Sequence, residues 1–346
     1  MDVEFHYWIT GIVARRAGFA EDEAQIVAYS SQYTDDNDIS YAVVDEAGNQ
    51  PYVNFVTQTM NILKPKAELM RIYPIFHFVP GDPLSWSAKR RDGKMHILNT
   101  TPDNALANEL LAEAFRAPED NYLYRIGIAT HACADTWAHQ NFVGWNDSFN
   151  RLGAPKPNIG HTDAWYKPDR VGQEWRDSRL VRPEIVNRTR FLLAARCLFG
   201  HYCAYLDGLG QQYPQRPSWD DLEAELADAM SAGPDGGRRE RVPTYKHMAP
   251  WLPEYDEHWW FGQAIRTEVR GMRDLHDTLG SLLDHFMDKW PWLRARLGDR
   301  YFWRPHAPKT STHWYQFQRA AKAHERFGLK RLSPLFEQMG VDIGRA

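Results

Sequence analysis

The sequence contains few cysteines, no long apolar segment and no excess of basic residues. Three cysteines in 346 residues are too few for a disulfide framework, which indicates a reducing compartment. No stretch reaches the roughly 18 apolar residues that a membrane-spanning helix requires. The formal net charge of −4 gives no reason to expect an extended nucleic-acid-binding surface.

The N-terminal residues are acidic and lack the basic start and apolar core of a secretory signal peptide. We therefore expect a cytoplasmic protein. Export by a route that needs no signal peptide stays an alternative. The composition, 43% hydrophobic and 25% charged, is that of an ordinary globular protein. The 14 tryptophans are expected to fill the core or an interface, or to form the wall of a cleft.

Hydrophobic periodicity predicts a mainly α-helical protein. Helical patterns cover about 3–17, 21–34, 103–116, 119–140, 183–206, 218–231, 257–288, 313–326 and 330–339. Residues 41–57 are typical of a β-hairpin around Gly48-Asn49, and a second hairpin is predicted at Asp92-Gly93. Residues 144–171 and 231–243 are predicted to be loops. The prediction is a single helical domain over 1–346, a bundle with one or two small β-hairpins.

The most informative stretch spaces two imidazoles and a carboxylate four residues apart. His131, Asp135 and His139 stand at i, i+4 and i+8, so they lie on one face of a helix. The residues just before them are mostly apolar, which places these side chains inside the protein. Buried ionisable groups are costly unless they are paired or coordinated, so a metal site is the economical explanation.

Four further segments carry residue types that bind metals, in aromatic or apolar surroundings. These candidates are His6, Asp35, Asp36, His77, His161 and Asp163, with Asp169 as the alternative to Asp163. Each also has a structural interpretation, such as a histidine that is satisfied within the core or an aspartate at the end of a helix. Imidazole and carboxylate ligands suit zinc, and this number of candidates is too large for one ion and fits two or three.

In chain order, these motifs resemble those of the zinc-dependent phospholipase C and S1/P1 nuclease family. Tyr33-Thr34-Asp35 resembles the family's Trp-Ala-Asp, which supplies an aspartate ligand. His77-Phe78-Val79, followed by Asp82 and Pro83, is similar to its His-Phe-Ile segment with a later Asp and Pro. The resemblance implies a helical enzyme in which a cluster of three zinc ions hydrolyses phosphodiesters.

The two later motifs extend the resemblance to about residues 1–170. His131 and Asp135 with a later His139 resemble the family's His-x-x-x-Asp helix, in which the aspartate bridges two metals. Asn158-Ile-Gly-His161 with Trp165 resembles its Asn-Leu-His-x-x-Trp-Asp ending. The C-terminal helices, within 183–339, are expected to provide packing and the walls of a cleft.

The chain departs from the family at three points. Family enzymes begin with a tryptophan whose amine and carbonyl bind zinc, whereas Trp8 is internal, which leaves His6 as the anchor for a third ion. The spacing from Asp135 to His139 is shorter than in the family. The family's final carboxylate has no counterpart at Trp165, so Asp163 or Asp169 would have to replace it.

The leading hypothesis is a phosphoesterase in which two or three zinc ions activate water. We assign His77, His131, Asp35 and a bridging Asp135 to one ion, with Asp35 also acting as a base toward the attacking water. Asp35 and Asp135 are therefore the predicted catalytic residues. His139, His161 and Asp163 would hold a second ion, and His6 a third, or His6 would orient another ligand.

Other functions remain open. An HD-type phosphohydrolase or oxygenase would use the adjacent pair His276-Asp277. A non-enzymatic helical binding protein would hold its metals in closed, structural sites, and an amide or ester hydrolase would use the same activated water. The expected substrate is a small-molecule or lipid phosphoester. Lys167 and Arg170 could meet its phosphate, although solvated surface charge is the simpler interpretation.

Overall fold

The computed structural model describes residues 1–44, 50–59, 64, 66–117, 120–153, 158–231, 237–270, 298–305 and 308–343. The described part is mainly helical, which confirms the predicted fold class. No helix in these ranges is both long and apolar enough to cross a membrane. The pair His276-Asp277, most of the predicted helix 257–288 and the turn Gly48-Asn49 lie outside the described residues.

Five helices and two π-helical turns form the N-terminal half of the described chain. They are a π-helical turn over Glu4–Ile9, α1 (Thr10–Ala17), α2 (Glu21–Asp36), α3 (Lys66–Ile72), a π-helical turn over Tyr73–His77, α4 (Ala105–Phe115) and α5 (Tyr122–Ala138). As predicted, α1 ends at Gly18, whose φ of 125° favours glycine. Helix α2 begins with three acidic residues, and Glu23 accepts a hydrogen bond from the Ala20 amide at 2.9 Å.

The helices of the C-terminal half pack around these. They are α6 (Asn187–Gly208), α7 (Trp219–Ser231), α8 (Arg238–Met248), α9 (Trp259–Ala264) and α10 (His313–Gln338). Helix α10 is one continuous helix where two were predicted. Helix α8 begins inside the segment predicted to be a loop, because the glycines and proline of that segment lie mostly before its first turn.

Six short strands in the described residues form two small sheets. They are β1 (Ala42–Val44), β2 (Tyr52–Val53), β3 (Glu174–Arg176), β4 (Glu184–Val186), β5 (Ile265–Glu268) and β6 (Arg300–Trp303). The four-stranded sheet has the order β2-β1-β6-β5, with only β1 and β6 parallel, and β3 pairs antiparallel with β4. The β1–β2 pair confirms the first predicted hairpin. The second is wrong: residues 89–98 form turns and one bridge, from Arg90 to Leu180.

Helix α5 is the centre of the bundle and contacts α2, α4, α6 and α10. Its residues from Ile126 to Ala138 are all buried, as expected for a helix surrounded by others. At Gly127 the backbones of α5 and α2 approach so closely that an added Cβ would lie 2.6 Å from the Val27 carbonyl oxygen. This close approach brings the end of α2 alongside His131 of α5.

Candidate metal centre

The structure brings eight of the candidate ligands together at the buried end of α5. Among the described residues, three groups have donor atoms that lie within 4.8 Å of one another. The groups are His6, Asp35 and His131; His77, His131 and Asp135; and His139, His161 and Asp169. The predicted convergence of separated segments is therefore present in the geometry, with Asp169 in place of Asp163.

Four of these imidazoles are held by backbone carbonyl groups. His131 Nδ1 lies 2.8 Å from Ser31 O, and His77 Nε2 lies 2.9 Å from Thr57 O. His139 Nδ1 lies 2.7 Å from His77 O, and His161 Nδ1 lies 2.9 Å from Trp165 O. A carbonyl oxygen only accepts, so the ring nitrogen must donate, and in the neutral form of each ring the opposite nitrogen carries the lone pair. Ligand histidines are commonly oriented in this way.

The lone-pair nitrogens of His77 and His131 converge with two carboxylates. His131 Nε2 lies 3.0 Å from His77 Nδ1, 3.2 Å from Asp135 Oδ2 and 3.7 Å from Asp35 Oδ1. His77 Nδ1 lies 3.5 Å from both of those carboxylate oxygens. Ligands about 2.1 Å from a tetrahedral zinc ion lie about 3.4 Å from one another. These four donors, the set assigned to the first ion, have nearly that spacing.

The second group joins the end of α5 to the loop that follows it. Asp169 Oδ1 lies 3.1 Å from His139 Nε2, and Asp169 Oδ2 lies 3.2 Å from His161 Nε2. Asp163 belongs to none of the three groups found among the described residues, because its Oδ2 accepts a hydrogen bond from the Leu152 amide at 3.2 Å. Of the two alternatives left open by the sequence, the structure places Asp169 at the histidines.

The third group is built around His6 on the first π-helical turn. Its ring is fully buried, stacks on the His131 ring at 3.9 Å, and presents Nε2 3.1 Å from Asp135 Oδ1. Burial, with the nearby His131 and N-terminal amine, holds the pKa of His6 well below its ordinary value, so the ring is neutral. The Met1 amine itself contacts Asp135 Oδ1 and lies 3.5 Å from Asp169 Oδ1.

Asp135 is the most enclosed carboxylate of the centre. Burial alone would raise the pKa of Asp135, but His139, the N-terminal amine and His131 outweigh burial and hold this pKa well below its ordinary value. Its Oδ2 is buried and accepts no hydrogen bond from any described residue, although three imidazoles surround it. An ionised oxygen in such a place is costly unless a cation shares it, which fits a bridging metal ligand.

Asp35 and Asp36 end the same helix but have different surroundings. Asp35 points into the cluster and remains 27% exposed; burial raises its pKa to about 8, with an added effect of Asp135 that His77 opposes. Asp36 Oδ2 accepts hydrogen bonds from Tyr255 at 2.6 Å and Gln32 at 3.0 Å. Asp36 is therefore held as a hydrogen-bond acceptor, and it belongs to none of the metal-type groups in the described ranges.

A cavity of about 690 Å³ opens beside the centre. Asp35, Asp36 and Asp169 line it on the ligand side. Arg170, Arg238 and Lys246 line it elsewhere, with Lys246 paired to Glu254, and the ring of Tyr166 lies 3.6 Å from the Arg170 guanidinium carbon. Aromatic residues complete the wall: Trp8, Tyr166 and Tyr255. The centre is thus accessible from solvent through a polar cavity that carries charges of both signs.

The family called DUF6765, a family of unknown function, matches residues 1–332. The chain belongs to this family. No curated protein and no solved structure matches the chain.

Sequence reasoning missed the cavity residues of α8. Arg238, Val242 and Lys246 line the cavity at a spacing of four residues, so they share one face of α8. That spacing was a usable signal, but the preceding run of glycine and proline favoured a loop over the whole segment. No sequence pattern identifies the carbonyl groups that orient the histidines, because any residue can provide a backbone oxygen.

Proposed function

We propose that this protein is a metal-dependent hydrolase that acts on phosphoesters with two or three zinc ions. The observation that carries the proposal is the orientation of four histidines by backbone carbonyls, which leaves four lone pairs directed at three shared carboxylates. A structural role in the core would not require so many acceptors to face one another. The resemblance to the phospholipase C and S1/P1 nuclease family stays a prediction that this geometry supports.

The residues fit zinc by donor type and by spacing. Neutral imidazoles and carboxylates are ligands of zinc in catalytic sites, and no cysteine takes part in the three groups of the described chain. His77, His131, Asp35 and Asp135 would hold one ion; His139, His161 and Asp169 would hold a second. His6 with Asp35 would hold a third or position the others. When bound, such ions lower the pKa of water and stabilise charge on phosphoryl oxygens.

The protein's own carboxylates divide the remaining work. Asp35 borders both the cluster and the cavity, so its carboxylate is placed to accept a proton from water that attacks a substrate in the cavity. Asp135 is only 1% exposed, so it would act as a ligand shared between ions rather than by contact with the substrate. The two predicted catalytic aspartates thus receive different tasks from their different exposure.

The cavity wall suits an anionic ester. Arg170 and Arg238 are exposed at this wall and supply positive charge within the same cavity as Asp35. A guanidinium group binds a phosphate through two parallel hydrogen bonds to its oxygens. Such a contact would orient the ester toward the metal cluster. The aromatic wall offers an apolar surface to the leaving group. A small-molecule or lipid phosphoester is therefore the proposed substrate class.

The test combines metal analysis with a panel of chromogenic phosphomonoesters and phosphodiesters. We expect at least two equivalents of zinc in the purified full-length protein and hydrolysis that a chelator abolishes. Asp135→Ala should lose metal and activity together. Asp163→Asn is the matched control, because its amide oxygen can still accept from Leu152 N, and it should keep both.

Two results would contradict the proposal. A protein with less than one equivalent of bound metal, even after incubation with zinc, would remove the metal centre. Stoichiometric metal without hydrolysis of any ester in the panel would indicate closed, structural sites. Retention of all metal by Asp135→Ala would remove that residue from the ligand set.

A further inference from the structure

A second cluster of reactive groups lies on a different surface, where α6 packs against α5 and α4. Cys197 and His201 stand one turn apart on α6 and line an open cavity of about 740 Å³ together with Asp103 and Asn108. Cys133 lies on α5, is fully buried and interacts with Cys197. One thiol is therefore partly exposed at a cavity and the other is fully buried.

His201 is oriented as a proton acceptor for Cys197. Its Nε2 lies 2.9 Å from Asn108 Oδ1, and Asn108 Nδ2 in turn donates to Asp103 Oδ1 at 2.9 Å. Since the Asn108 oxygen accepts, His201 Nε2 donates, so Nδ1 of the neutral ring keeps a lone pair, and the interaction with Cys197 raises the pKa of His201. Cys197, His201 and Asn108 therefore stand in a row as a nucleophile, a base and a group that orients the base.

The charge balance around the sulfur favours the thiolate. The pKa of Cys197 is lowered to about 7, chiefly by its interaction with Cys133 and also by that with His201; burial and the carboxylate of Asp103 oppose the shift. Cys197 Sγ donates a hydrogen bond to Asp103 Oδ1 at 3.5 Å, a contact that favours the thiol, and Arg196 also lines the cavity. Cys203, on the same helix, has a pKa raised by burial.

We propose that Cys197 is a hydroperoxide-reactive thiol, with Cys133 as the second thiol that converts its oxidised form to a disulfide. Accessible, acidic thiols beside a second cysteine are the typical sites of such chemistry. Helices α5 and α6 contact each other, and the small residues Ala129 and Ala132 of α5 and Ala194 and Ala195 of α6 are all fully buried.

The reaction balances in two steps. The Cys197 thiolate attacks one peroxide oxygen, the O–O bond breaks, and the leaving alkoxide takes the proton held by His201; sulfur is oxidised and the peroxide is reduced to an alcohol or water. The Cys133 sulfur then bonds to the Cys197 sulfur, the S–O bond breaks, and hydroxide leaves with the Cys133 proton as water. The product joins α5, between His131 and Asp135, to α6.

The first experiment compares the two solvent-accessible thiols of α6. Both fall in one tryptic peptide, because no lysine or arginine separates them. The Cys203→Ser variant therefore reports on Cys197, and the Cys197→Ser variant reports on Cys203.

At pH 7 we expect iodoacetamide to modify Cys197 at least about tenfold faster than Cys203, since a far larger fraction of Cys197 is thiolate. His201→Gln in the Cys203→Ser background should slow Cys197 at least threefold. Equal rates for the two thiols would overturn the proposal.

The second experiment treats the full-length Cys203→Ser protein with hydrogen peroxide and maps its peptides under non-reducing conditions. We expect a disulfide between Cys133 and Cys197. In Cys133→Ala, which removes only a small buried group, dimedone should instead trap a sulfenic acid at Cys197. Sulfenic or sulfinic acid at Cys197 with Cys133 still reduced, when both thiols are present, would overturn the assignment of Cys133. Neither readout depends on the metal centre.

Discussion

His139 donates a hydrogen bond from Nδ1 to the backbone oxygen of His77 at 2.7 Å, so the backbone of one candidate ligand fixes the ring of another. His77 belongs to the group that includes His131, whereas His139 belongs to the group that includes Asp169. This bond therefore joins the group of His77 and His131 to the group of His139 and Asp169. Loss of this hydrogen bond is therefore expected to weaken metal binding in both groups.

Replacement of His139 should cost more metal than replacement of His161. His161→Ala removes a ligand from the second group only, so we expect loss of about one equivalent of zinc. His139→Ala removes a ligand from that group and also the donor to His77 O, so zinc affinity of the first group should fall about 10- to 100-fold. Metal analysis and competition with a chromogenic chelator would measure both quantities. Identical zinc content and affinity in the two variants would show that the groups are independent.

Part of this centre was predictable because it is local in sequence. His131 and Asp135 lie on one helical face by their spacing alone, and the apolar residues of α5 placed that face in the core. The prediction that Asp35 and His77 are ligands required only that the ends of their segments lie close to α5. The hydrogen-bonding groups that select the tautomers are backbone carbonyls, so their positions depend on packing that no side-chain pattern records.

The choice between Asp163 and Asp169 could not be made from the sequence. Both lie within reach of His161 along the chain, and the loop between them takes a path set by individual backbone angles. Asn158 and Trp165 have φ values of 49° and 56°, which are uncommon for residues other than glycine. That path directs Asp163 toward Leu152 N and Asp169 toward the histidines. Turn geometry of this kind is not encoded by periodicity.

Arg238 gives a test of the cavity as the substrate site. If the cavity binds the phosphoester, Arg238→Gln should raise KM about tenfold and change kcat less than twofold, because the lost interaction is made equally in the ground state and the transition state. Arg239→Gln is the matched control: Arg239 is the exposed neighbour and is not among the cavity residues. Steady-state kinetics with the best ester of the panel would measure both. An equal change in KM for the two variants would mean that the effect is a general one of surface charge.

Glu4 should contribute more to stability than an exposed acidic residue does. Its carboxylate is fully buried, accepts hydrogen bonds from Arg241 Nη2 at 3.0 Å and Tyr245 Oη at 2.8 Å, and ties α8 to the turn that carries His6. Glu4→Gln removes the charge that faces the buried guanidinium, so we expect a loss of about 3 kcal/mol in the free energy of unfolding. Urea denaturation followed by circular dichroism would measure it.

The control for Glu4 is Glu225, which pairs with Arg16 at 2.8 Å at the surface. Glu225→Gln should cost less than about 1 kcal/mol, because exposed ion pairs are screened by solvent. A loss for Glu4→Gln no greater than that of the control would show that the buried pair is offset by its own desolvation.

Gly127 tests whether the crossing of α2 and α5 positions the centre. In Gly127→Ala, the new Cβ would lie 2.6 Å from the Val27 carbonyl oxygen, so the helices must move apart, at an expected cost of about 2 kcal/mol. Because Asp35 and His131 lie on these two helices, zinc affinity should fall as well. Gly200→Ala on α6 is the matched control: its Cβ meets nothing within 4 Å, and alanine should stabilise that helix by up to about 1 kcal/mol. Thermal unfolding and zinc titration of both variants would decide. Unchanged zinc affinity in a destabilised Gly127→Ala protein would mean that the ligands are held by their carbonyl partners rather than by the helix crossing.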